Sequence, residues 1–149
     1  MRRVSHMERA GQWPRGEARG TVTLDYDLRH RRRVRLTSDA GENFLMDLPR
    51  ACVLGEGDGL ALDDGGWIEV KAAPEPLLEV RAARPELLCR LAWHIGNRHL
   101  AAAIAADRIL LREDHVIAEM LAGLGATVRR IEAPFTPEPG AYDAHEHHH

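Results

Sequence analysis

The sequence predicts an α+β chain built as a small N-terminal all-β domain, a ferredoxin-like (βαββαβ) C-terminal domain and a flexible histidine-containing tail. Three observations lead there. Polar and apolar residues alternate between Gly-rich turns through the first half. Two prolines, Pro74 and Pro76, mark a change of pattern. Beyond them, periodic segments follow in the order strand, helix, two strands, helix, strand. The expected boundaries are 1–73, 74–136 and 137–149.

Met1 to Gly20 is polar and Arg-rich and reads as a partly ordered lead-in with one edge strand at its start. Thr21–Leu24 and Arg33–Thr37 alternate with the period of a half-buried strand. Ser38 to Glu42 is a turn, and Asn43–Leu48 returns as the paired strand. Gly59–Leu62 and Trp67–Val70 are two more short strands between glycines. Many short strands with Gly-rich turns indicate a compact sandwich or barrel. Arg29-His30-Arg31-Arg32-Arg33-Val34-Arg35 is a basic run. It reads either as a docking patch for an acidic partner or as a solvated strand edge whose charges discourage pairing. Acids at Asp25, Asp27, Asp39 and Glu42 surround it and favour the second.

Ala72 to Pro76 reads as an extended hinge. Leu77–Arg81 is a strand, and Pro85 suits the first turn of a helix. Leu87, Leu88, Leu91, Ala92 and Ile95 then share one helical face, with Gly96 placed for a left-handed cap. Leu100–Ile104 and Arg108–Arg112 are the next strands. Asp114 is an N-cap for a helix whose inner face is Ile117, Met120, Leu121 and Leu124, with Gly125 as its C-cap. Thr127–Ile131 closes the sheet, and Pro134 to Gly140 lead into the tail.

Of the 149 residues 44% are hydrophobic and only 5% aromatic, so the core is mostly aliphatic. Two domains of this size have thin cores, for which dimerisation is a common remedy. The formal charge of -3 gives no overall basic footprint for nucleic acid. Cys52 and Cys89 stand far apart and read as free thiols or small buried hydrophobes, with Cys89 assigned to a helix core. No signal-peptide core and no run of the roughly 18–20 apolar residues that span a bilayer is present. A soluble cytoplasmic protein without membrane or nucleic-acid partners is expected.

Catalysis finds no support. Gly55-Glu56-Gly57-Asp58-Gly59 lacks the lysine and helix of a phosphate loop. Neither serine has a nucleophile signature. Histidines are the informative residues. Imidazole suits nickel, copper and zinc. His99 falls just beyond a helix end. His94 lies five residues earlier, about 140° around a helix, so the pair does not chelate one ion from a regular helix. His99 works best if a twofold axis sets it beside its own mate; otherwise it is a structural histidine bonded to backbone. His115, in the first turn of a helix, is exposed and kept neutral by the dipole, with Glu113 and Asp114 as nearby oxygen donors. Its position alone favours a surface residue near the N-cap. The terminal His145, His147, His148 and His149 form a metal-binding tract, interrupted by Glu146 unlike an expression tag.

The segments Trp93-His94-Ile95-Gly96-Asn97-Arg98-His99, Glu113-Asp114-His115-Val116, Gly123-Leu124-Gly125 and Pro134 to Tyr142 together resemble the urease accessory proteins of the UreE type, the nickel metallochaperones. Tyr26 to Val34 and Leu48-Pro49-Arg50 resemble that family's N-terminal module. The resemblance implies an N-terminal β-domain that docks on partners and a C-terminal domain that dimerises and binds Ni2+. It implies His99 as the shared ligand of a homodimer and His115 as a peripheral one, with the tail histidines supplementing them. Some members carry a further histidine where this chain has Glu113.

The implied function is nickel delivery and insertion during urease maturation, with the urease apoprotein and its accessory GTPase as partners and no turnover of its own. Zn2+ and Cu2+ compete for such ligands. The alternatives are a chaperone-like interaction module of the maturation complex with incidental metal binding, and a nickel or zinc storage protein.

Overall fold

The N-terminal strand lies in the middle of a sheet. In the computed structural model, which describes residues 1–139, β1 (Arg2–Glu8) runs parallel to β4 (Asn43–Asp47) and antiparallel to β5 (Gly59–Leu62). This corrects the expectation of an edge strand in a loose lead-in. The reason is a bulge between Val4 and His6. It breaks the two-residue period, so Val4 and Met7 both reach the core while the residues between them read as polar.

The remaining strands of this first unit are β2 (Ala18–Leu24), β3 (Arg33–Thr37) and β6 (Trp67–Ala72). The sheet order is β2-β6-β5-β1-β4-β3. Its end strands approach at Asp39, whose N–H donates to the Thr21 carbonyl and whose carboxylate accepts from Thr21 Oγ1 and Thr23 Oγ1. The core inside is aliphatic, with Val4, Val22, Met46, Leu54, Leu60 and Val70 fully buried and Phe44 its main aromatic.

A short helix, α1 (Tyr26–Arg29), was not expected. Asp25 caps it by accepting from the Leu28 N–H. Arg29 is fully buried: it donates to the carbonyls of Leu54 (2.9 Å) and Leu24 (3.3 Å), and its guanidinium lies over the Tyr26 ring. His30 is buried as well. The basic run is therefore not one solvated edge. Its first two residues turn inward, Val34 packs on the core, and the other arginines remain outside.

The chain divides between Ala73 and Pro74 into two compact units. The residues expected as an extended hinge lie largely in strands: Ala72 ends β6, and Pro74 already opens β7 (Pro74–Arg81), paired with Pro134. The second unit continues with α2 (Pro85–Asn97), β8 (Ala102–Ile104), β9 (Ile109–Arg112), α3 (His115–Gly123) and β10 (Thr127–Pro134). Its antiparallel sheet has the order β10-β7-β9-β8, the split arrangement of the ferredoxin-like fold.

Leu78, Val80, Leu91, Ile95, Ile109 and Leu121 form the centre of the second core. Two residues assigned to helix interiors face outward. Cys89 lies two positions from Leu91, about 200° around the helix, and is exposed. Leu124 follows the last turn of α3 and is 39% exposed. Both cysteines are free. Among the described residues no helix is long and apolar enough to cross a membrane.

Candidate metal centre

The α2 helix determines how His99 is presented. Pro85 opens it, and its apolar face seats Leu91 and Ile95 in the core. The expected left-handed cap at Gly96 is not there; Gly96 lies within the helix. His99 itself takes the left-handed conformation, with φ of 59°, and no other described non-glycine residue has positive φ. Its N–H donates to the Gly96 carbonyl (3.0 Å) and the Leu100 N–H to the Ile95 carbonyl (3.3 Å). Those two bonds make a Schellman stop, and Leu100 packs on the same core as Ile95. The chain turns sharply at an imidazole-bearing residue that stays exposed.

His99 lines a cleft of about 230 Å³ with Leu100, Leu111, Glu113, Asp114 and Ile117. It follows the C-terminal end of α2, where the helix dipole presents partial negative charge and favours a cation. His115 lies at the opposite kind of helix end. It is the first residue of α3 and is exposed. It lines a second cleft of about 550 Å³ with Glu113, Asp114, Val116 and Arg130. The two histidines thus flank one dipeptide, Glu113-Asp114, which both clefts share.

The carboxylates of that dipeptide are already engaged. Asp114 Oδ1 accepts from the N–H groups of Val116 (2.9 Å) and Ile117 (3.1 Å), as an N-cap does. Glu113 is paired with Arg130. Both nearby oxygen donors therefore have protein partners. His94 is half-buried with its ring edge-on to Trp93, which is 64% exposed. Among the described residues no three His, Cys, Asp or Glu side chains converge on one point. A larger cleft, of about 810 Å³, lies on the first unit between Arg2, Arg3, Asp63 and Asp64 and holds no histidine.

The sequence reading missed Glu138. Its N–H donates to the Ala102 carbonyl (2.8 Å), and its carboxylate accepts from the Ile104 N–H (3.3 Å). The chain leaving β10 is thereby tied to β8, three residues past His99. The flanking Pro137 and Pro139, which favour an extended course, were the available signal. His145, His147, His148 and His149 lie outside the described residues.

Comparison with known proteins decides the family. The model of the UreE urease accessory protein, N-terminal domain, matches residues 2–73, and that of its C-terminal domain matches residues 75–149. The chain belongs to the UreE family of urease accessory proteins. A UreE protein of Chelativorans sp. (strain BNC1) is 61% identical over 85% of this chain and 80% of its own length. One from Rhodopseudomonas palustris (strain HaA2) is 58% identical over 87% of this chain and 60% of its own length. That of Agrobacterium fabrum is 49% identical over 99% and 91%. The two UreE domain matches meet where β6 gives way to β7. Membership carries a role as an accessory protein in urease maturation.

Proposed function

We propose that this UreE chain is a cytoplasmic nickel metallochaperone that works as a homodimer and delivers Ni2+ to the urease apoprotein, together with the accessory GTPase. The carrying observation is His99. An exposed imidazole occupies a backbone position that ordinarily goes to glycine, at a helix end whose dipole favours a cation. Nickel is cargo here, so ligands must release it as well as bind it. One exposed imidazole per chain, joined to its mate across a twofold axis, meets both demands. The exposed Trp93 and Val116 of the second unit supply apolar surface for such an interface. The two free thiols accord with a reducing compartment.

His115 serves as a peripheral ligand in this reading, and the tail histidines as supplementary ones. The bonds of Glu138 to β8 fix the point on the second unit from which the tail sequence departs. The first unit docks on partners. Zn2+ and Cu2+ compete for the same donors, because intrinsic affinity follows a fixed order.

Isothermal titration of Ni2+ into the full chain and into His99→Ala, with sedimentation of each, tests the reading. The tightest site is expected to vanish in the variant at a stoichiometry of one ion per two chains. Retention of that site, or a monomeric wild type with nickel bound, overturns it.

A further inference from the structure

We propose that Arg31, Arg32, Arg33, Arg35 and Arg50 form a docking surface for an acidic segment of a partner protein. All five are exposed. Strand register brings them together: Arg33 faces Asp47 across the β3–β4 pair, the Leu48 N–H donates to the Arg32 carbonyl, and Arg50 follows Leu48 by two residues.

The acids that flank this run in sequence do not neutralise it. Asp25 caps α1. Asp39 is held by Thr21 and Thr23, whose hydrogen bonds keep its carboxyl below the usual carboxylate range. Glu42 pairs with Arg2. Among the described residues the ion pairs of this surface all end on Asp47, at 3.4 Å from Arg32 and 3.5 Å from Arg33. The other arginine cluster of the chain is different. Arg81, Arg108 and Arg129 surround the buried Glu79 at 2.8–3.2 Å.

The chemistry of the surface selects among anionic partners. Guanidinium forks match carboxylates in pairs. Base stacking needs exposed aromatic rings, and the nearest ones, Tyr26 and Phe44, are buried. Membrane binding through an inserted face needs several apolar anchors, and of the exposed large hydrophobic residues among those described only Met1 belongs to the first unit. An acidic protein segment is what remains. The inference rests on the partner-docking role proposed for the first unit and is independent of the nickel ligands.

The test is fluorescence anisotropy with a labelled peptide of about twelve residues alternating Glu and Ser, at about 0.1 M salt. The full chain is compared with two triple variants, Arg33→Gln/Arg35→Gln/Arg50→Gln and the equal-charge control Arg3→Gln/Arg19→Gln/Arg90→Gln. The first triple is expected to weaken binding by about tenfold and the control by less than about twofold. Circular dichroism verifies the fold of each. Equal losses in both triples, or no binding by the full chain, overturns the proposal. So does tighter binding of a polyuridine strand or of phosphatidylserine-containing vesicles through the same three arginines. Ni2+ titration of the first triple is expected to match the full chain, which separates failure here from failure of the nickel reading.

Discussion

His99 and Gly125 occupy the same position of the same helix stop. After α3, the Gly125 N–H donates to the Ala122 carbonyl (3.0 Å) and the Ala126 N–H to the Leu121 carbonyl (3.1 Å), with φ of 102° at Gly125. After α2 the same two bonds surround His99 at φ of 59°. One stop uses the residue that backbone sterics favour. The other bears a side chain in a region that costs an ordinary residue about 1 kcal/mol.

His99→Gly therefore separates fold from ligation. The variant is expected to be as stable as the parent or more stable by up to about 1 kcal/mol, since the left-handed penalty disappears. It is expected to lose the tightest Ni2+ site. Urea denaturation of the metal-free chain and nickel titration check the two halves. A marked loss of stability would show that the imidazole holds the fold.

Asp114 is expected to act on helix stability and not as an oxygen ligand. Asp114→Asn keeps an N-cap and should change stability little, whereas Asp114→Ala should cost about 1 kcal/mol. Both should bind nickel as the parent does. A nickel affinity that drops in Asp114→Asn with unchanged stability would make the carboxylate a ligand.

Glu79 should make the second unit sensitive to acid. Its carboxyl is held at about 2, below the ordinary 4.5, by hydrogen bonds from Arg108 and Arg81 and by the charges of Arg129 and Arg81, against the opposing effect of burial. A carboxyl depressed in the folded chain contributes stability that is complete above about pH 4.5 and fades as pH falls toward 2. Glu79→Gln is expected to lose about 2 kcal/mol at pH 7. That deficit should shrink steadily as denaturation is repeated from pH 5 down to pH 2. A deficit independent of pH would assign the loss to packing.

Glu138→Ala should free the chain from β8. Hydrogen exchange at the Ile104 amide is expected to speed up, and Ni2+ affinity to fall by about threefold as the tail loses its anchor on β8. Glu138→Gln, which keeps an acceptor oxygen, should restore both. In a chain truncated after Pro139 the alanine change should leave nickel affinity unchanged. An equal effect there would mean that Glu138 acts on the second unit and not on the tail.

Much of the architecture was legible because local signals agreed with the tertiary outcome. The Pro85 start and apolar face of α2, the Asp114 cap of α3 and the Gly125 stop each depend on neighbours within a turn or two. The strand–helix–strand–strand–helix–strand order needed nothing beyond periodicity. Where a feature depended on distant residues, the sequence misled. The bulge in β1 hid a central strand. The carbonyls that receive Arg29 belong to Leu24 and Leu54, so its burial could not be read from a run of arginines.

The candidate site divides in the same way. Sequence alone pointed to His99 and His115, because imidazoles beside helix ends are a local pattern. Only the tertiary structure moved the left-handed turn from Gly96 onto His99, tied up Asp114 and Glu113, and tethered Glu138 to β8. The physical reason is range. Propensity and spacing act over a few residues along the chain, whereas hydrogen bonds and charge pairs form between groups that only folding brings together.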